Sequence, residues 1–186
     1  MERPIRRVFA AIVPPLAVRE DLARRLAAAS DVRWTPAPNM HVTLVFEPAC
    51  ADVPELITRL GSAVAGHRAF RLRIGGAGSF QARRGYTLWM AARGAIEADQ
   101  TALRAVRVAV GARADAVGHL TLARVRESVD TAAALATIAA LPTHEWPVEE
   151  VWLYESVLAG GPDGRSRYDP LARFPLAPTP GPPRTP

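Results

Sequence analysis

The tetrapeptide His-x-Thr-Leu occurs twice, as His41-Val42-Thr43-Leu44 and as His119-Leu120-Thr121-Leu122, with the two histidines 78 positions apart (119 minus 41) in a 186-residue chain. In an extended chain residues i and i+2 share a face. Each copy therefore turns an imidazole and a hydroxyl to one side and two aliphatic side chains to the other. Such a strand needs an apolar layer behind it and tolerates a polar groove in front. Two copies in one small protein point to two halves of like design.

The flanking sequence supports that division. Val8 to Val13 is a compact apolar run closed by Pro14-Pro15, which predicts a buried strand. Leu22 and Leu26, four apart and opposed by Arg19, Glu20, Arg24 and Arg25, predict an amphipathic helix over 16–29. Residues 31–39, with Pro36 and Pro38, read as a loop, and 40–46 as the strand of the first motif, broken by Glu47-Pro48. Asp52 followed by Glu55 resembles a capping box for a helix carrying Leu56, Ile57, Leu60 and Val64. Strands are expected at 70–74 and 86–92, joined by Gly75-Gly76-Ala77-Gly78 as a turn. Ile96, Leu103, Val106 and Val110 mark another helix. After the second motif come a helix over 131–140, a strand over 148–158 and an edge segment over 168–174. The last 12 residues, 175–186, hold six prolines and no periodicity, and read as a disordered tail on a single bilobal domain of residues 1–174.

Each half thus carries strands, a helix and one His-x-Thr strand in comparable order. The expected fold is α+β and bilobal: two antiparallel sheets with outer helices, related by an approximate two-fold, with a cleft between them.

Composition narrows the function classes. All 23 basic residues are Arg, and the net charge is +5. Arginine forks onto phosphate, so an anionic partner suits the chain, although so modest a charge does not itself specify nucleic-acid binding. A single cysteine, Cys50, excludes an internal disulfide and fits a cytoplasmic protein. No run approaches the roughly 20 apolar residues of a membrane helix, so no membrane partner is expected.

Two imidazoles with ordinary pKa near 6.5 can divide acid–base work at neutral pH, one neutral and one protonated. Cleavage of a phosphoester needs both: a base for the attacking water and an acid for the departing oxygen. The threonine hydroxyls can hold the non-bridging oxygens in line. His41, Thr43, His119 and Thr121 are accordingly the candidate catalytic set. The scheme calls for no metal and no cofactor, and two histidines without nearby carboxylates or thiols make a poor metal site. His67 and His144 lack the pattern and are expected at the surface.

The paired motifs resemble those of the 2H phosphoesterase superfamily. The surrounding strings Arg7-Val8-Phe9-Ala10, Arg33-Trp34, Gly78-Ser79-Phe80, Leu88-Trp89, His119 through Arg124 and Leu153-Tyr154-Glu155-Ser156 are similar to its RNA 2',3'-cyclic phosphodiesterase branch, also called 2'-5' RNA ligases. The resemblance implies a cleft lined by both motifs. It also implies hydrolysis of a terminal RNA 2',3'-cyclic phosphate to a 2'-phosphate, with His119 activating water and His41 protonating the leaving oxygen. Arg124 corresponds to the family's arginine as a phosphate or base contact, and Phe9 and Phe80 are candidate stacking walls. Phe46-Glu47-Pro48 and Gly118 depart from the family pattern beside the motifs.

With what the resemblance implies added to the residues, three readings stay open. They are hydrolysis of RNA ends or small cyclic nucleotides by a monomer without an obligate protein partner, a non-catalytic RNA-end or nucleotide module, and the same chemistry on another cyclic nucleotide or in 2'-5' ligation.

Overall fold

The computed structural model describes residues 4–28, 32–113 and 115–178. Eight strands and four helices follow in the order β1 (Arg6–Ile12), α1 (Leu16–Ala27), β2 (Val42–Cys50), α2 (Val53–Val64), β3 (Phe70–Ala82), β4 (Gly85–Gly94), α3 (Glu97–Ala109), β5 (His119–Val125), α4 (Thr131–Ala139), β6 (His144–Val148), β7 (Glu150–Val157) and β8 (Arg167–Pro175). A short 3-10 turn at Ala37–Asn39 precedes β2.

Local chemistry accounts for the starts of α2, α3 and α4. Asp52 Oδ1 accepts the Glu55 backbone N–H at 3.0 Å, and Asp130 Oδ1 accepts those of Ala132 and Ala133 at 3.0 and 3.2 Å, so orphan donors of α2 and α4 are satisfied. At α3, Asp99 accepts the Ile96 N–H at 3.3 Å and the Arg71 N–H at 2.9 Å, tying the first turn to β3. The inward stripes are the aliphatic residues at helical spacing: Leu22 and Leu26, then Leu56, Leu60 and Val64, then Leu103 and Val106.

All strand pairings are antiparallel, and the strands form one sheet in the order β6-β3-β4-β5-β2-β1-β7-β8. This corrects the expectation of two separate sheets. The halves β6-β3-β4-β5 and β2-β1-β7-β8 are joined through β2 and β5, whose ladder is the single pair Val42–Leu120. The sheet is also strongly curled. Six strand spacings would put β6 and β7 roughly 30 Å apart in a flat sheet, yet only Glu149 separates them in sequence. One crossing residue spans a few ångströms, so the two halves must bend toward each other.

Two local readings are revised for related reasons. β2 runs through Glu47-Pro48, because beyond Val42 only its β1 side is paired and a register shift between Arg6 and Val8 accommodates the proline. Gly75 to Gly78 is not a turn. It is a bulge inside β3, marked by a register shift, and the chain reverses at residues 83–84. The strand expected over 148–158 is β7, which pairs with β1, and β6 just before it, a strand not expected from the sequence, pairs with β3.

The ordered chain also continues past Phe174: Leu176 is buried, and Ala177 exchanges backbone hydrogen bonds with His67 and Ala69 at 2.7 and 2.8 Å. Residues 179–186, the remainder of the expected tail, lie outside the described residues. His144 is half-buried rather than at the surface, with Nε2 3.4 Å from the Asp21 carboxylate on α1. Among the described residues no helix is long and apolar enough to cross a membrane.

One face of the curled sheet carries the core. Val8, Ala10 and Ile12 of β1, Val42 and Leu44 of β2, and Leu120 and Leu122 of β5 all belong to a single apolar cluster. Their alternating neighbours face the other way, and there the candidate site lies.

Candidate active site

Val42 and Leu120 form the only β2–β5 pair, and each is flanked by a histidine and a threonine. Continuing that antiparallel register sets His41 across from Thr121 and Thr43 across from His119. A core contact between two aliphatic residues thus brings the two motifs together on the reverse face. His41, Thr43 and His119 line one cleft of about 560 Å³, with Arg124, Phe9, Arg7, Ser156 and Tyr168 among its walls.

The imidazoles are held alike. His41 Nδ1 lies 2.8 Å from the Asn39 carbonyl and His119 Nδ1 2.9 Å from the Val117 carbonyl, in each case two residues upstream. A carbonyl only accepts, so Nδ1 carries the proton and Nε2 is left as the chemically available nitrogen. The supports differ. Asn39 also donates from Nδ2 to the Ser166 carbonyl at 2.9 Å, and Arg19 of α1 donates to the carbonyls of Pro14 and Ala37 at 2.9 and 3.3 Å, bracing the 3-10 turn. On the other side the Gly118 carbonyl accepts the Ala92 N–H at 2.9 Å, pinning the entry to β5 against β4.

The ring environments break the symmetry. Phe9 stacks on His41 with centroids 4.6 Å apart and planes at 30°, and Tyr168 meets His41 edge-on at 5.2 Å. Phe80 instead meets His119 edge-on at 4.9 Å and Trp89 at 4.8 Å. Burial holds the His41 pKa down at about 4, and the charges of Arg124 and His119 act in the same direction against the opposing Asn39 hydrogen bond. His41 is therefore neutral at pH 7 in the free protein.

Of the residues singled out in the sequence, Thr121 and Phe80 do not line the cleft itself. Thr121 lies opposite Trp89 in the β4–β5 ladder, and Phe80 backs His119 from β3. Phe9 is buried yet outside the core cluster, on the cleft side of β1. Arg7, Tyr168, Ser156 and Ser166 also line the cleft, beyond the candidate residues of the two motifs. Arg7 was within reach of the same i, i+2 rule, being two residues from Phe9. Periodicity does not place Tyr168 at the site, because β8 reaches it only through its pairing with β7. No group of three metal-ligating side chains converges among the described residues.

Two imidazoles from equivalent strands of a curled antiparallel sheet, facing one cleft, define the two-histidine phosphoesterase class. Residues 13–159 match the model of the 2'-5' RNA ligase superfamily, and the chain belongs to that family. Solved structures share the fold. Escherichia coli LigT complexed with ATP aligns at TM-score 0.68 and 24% identity over 94% of this chain and 99% of that one. The same protein complexed with phosphate gives 0.68 and 25% over 93% and 98%. A protein of Thermus thermophilus gives 0.65 and 23% over 91% and 97%. No curated protein sequence matches the chain significantly.

Proposed function

We propose that this protein hydrolyses a terminal RNA 2',3'-cyclic phosphate to the 2'-phosphate, using His41 and His119 as an acid–base pair. The observation that carries the reading is the matched tethering of the two imidazoles, each with Nδ1 committed to a carbonyl two residues upstream and Nε2 free. Water attacks phosphorus while one Nε2 takes its proton. The bond from phosphorus to O3' breaks, and the other imidazole gives its proton to O3'. One water is consumed and the two rings exchange protonation states. Thr43, on the cleft wall, donates to a non-bridging oxygen, Arg124 offsets the charge gathering on those oxygens, and Phe9 and Phe80 fix the rings from behind. The solved LigT complexes with ATP, phosphate and 3'-AMP support a phosphate-bearing nucleotide as the ligand class.

A product-resolved assay on an oligoribonucleotide ending in a 2',3'-cyclic phosphate tests this. The 2'-phosphate should form in the presence of EDTA, and either His41→Ala or His119→Ala should cost on the order of 10²- to 10⁴-fold in rate. Unchanged rates in both variants refute the assignment, and binding without turnover by the wild type identifies a non-catalytic module.

A further inference from the structure

A second cavity, also about 560 Å³, lies where the end of β4, the inner face of α3 and residues 115–118 meet, and it shares no lining residue with the cleft. From α3 it receives Gln100, Arg104 and Arg107 at helical spacing, and from β4 Arg93. Arg107 is only 6% exposed, and its Nε is sealed from solvent without a hydrogen-bond partner. No carboxylate among the described residues lies within ion-pair distance of it. The nearest influence is Asp115, but that carboxylate is held by Arg113 at 2.8 and 3.1 Å and its side chain is 71% exposed.

A guanidinium does not shed its proton in a protein, so burying one without a partner is costly. The cavity's charge has the sign that would relieve the cost: Arg93, Arg104 and Arg107 against Glu97 and Asp115, the latter already engaged. Gln100 spends its carbonyl on the Gly94 N–H at 2.8 Å, which leaves its amide donors for a ligand. Gly118 keeps the space open. A Cβ there would clash with the Ala92 carbonyl and come within 3.4 Å of an Arg107 terminal nitrogen.

We propose that this cavity is a binding site for a phosphate group, anchored by the fork of Arg107 and closed by Arg104 and Arg93. Fork geometry favours a tetrahedral or planar oxyanion taken by two nitrogens at once. The occupant rests against Val117 and Gly118, whose carbonyls hold His119 Nδ1 and the Ala92 N–H, so the site adjoins the support of the second motif without belonging to the cleft.

Crystals soaked in sodium selenate, a tetrahedral stand-in for phosphate with an anomalous signal, should show a peak within hydrogen-bond distance of the Arg107 terminal nitrogens. In solution, inorganic phosphate should bind the wild type at two sites. Arg107→Leu should abolish one of them. Arg104→Ala, a substitution at an exposed position that keeps the test open if the first variant fails to fold, should weaken the same site by at least about tenfold, the loss of one charge-assisted hydrogen bond. Competition by an RNA oligonucleotide lacking a terminal phosphate identifies the strand as the phosphate's source, and competition by mononucleotides alone identifies a free ligand. A selenate map with no peak at Arg107, or phosphate binding unchanged in both Arg107→Leu and Arg104→Ala, overturns the proposal, whereas a single site lost in those variants upholds it and counts only against phosphate binding in the cleft.

Discussion

Acidification from pH 7 to pH 4.5 should cost the folded protein about 2.5 kcal/mol through His41 alone. Burial, with the charges of Arg124 and His119, lowers this imidazole from 6.5 to about 4 in the folded state. In the unfolded chain it takes up its proton near 6.5. Between those values the unfolded state binds more protons, so the stabilisation is complete above 6.5, falls with pH across the window, and is gone below about 4. At pH 4.5 the unfolded imidazole is almost fully protonated and the folded one largely neutral, which sets the magnitude. Against total domain stabilities of about 5–15 kcal/mol this is a measurable fraction. Urea denaturation of wild type and His41→Gln at both pH values isolates the contribution, because every other titrating group is common to the two. The wild type should lose about 2.5 kcal/mol more than the variant. Equal losses, or an NMR titration placing the free His41 near 6.5, would refute the reasoning. Saturation with 2'-AMP should move that titration upward, since a phosphate supplies the negative charge that the unliganded site lacks. The same measurement bears on the division of labour. If His41 is the acid, kcat/KM should decline above about pH 4 while kcat holds to higher pH. If His41 is the base, kcat/KM should rise to a plateau instead.

Three further outcomes follow from the geometry. Gly118→Ala should destabilise the protein by roughly 1–3 kcal/mol in thermal or chemical unfolding, because the added Cβ meets the Ala92 carbonyl. It should also slow turnover by displacing the Val117 carbonyl from His119. Gly78→Ala should depress activity more than stability, since its Cβ would push the Trp89 indole, whose centroid is 6.1 Å from that of His119, as paired kinetic and melting data will show. Asp130→Ala should cost about 1 kcal/mol by uncapping α4 while leaving kcat and KM unchanged.

The asymmetry of the two motifs bears on how the site works. Their hydrogen bonds are nearly interchangeable, yet one ring is stacked on Phe9 while the other is braced edge-on by Phe80. Duplication of the tetrapeptide supplies two similar groups. Different packing against β1 and β3 then places them in different surroundings, and a proton-transfer pair requires such a difference.

What the sequence determined by itself is the local half of this design. Alternation along each motif assigns Val42, Leu44, Leu120 and Leu122 to the core and turns His41, Thr43, His119 and Thr121 away from it, because side-chain direction in a strand depends only on position. Helical spacing and the Asp52 cap act over a few residues and are legible for the same reason. The tertiary structure decided the rest. The Val42–Leu120 pair joins elements far apart in the chain, and with the curl of the sheet it makes one cleft from two half-sites. Tyr168 enters the site only through the β7–β8 ladder, and the Arg107 cavity exists only where α3 meets β4 and residues 115–118. Pro48 and Gly75 to Gly78 look like breaks in the local sequence, yet they lie within strands, because bulges and unpaired edges absorb what a fully paired strand cannot. Periodicity records which way a side chain points. What it points at is settled by pairings between residues that no local pattern connects.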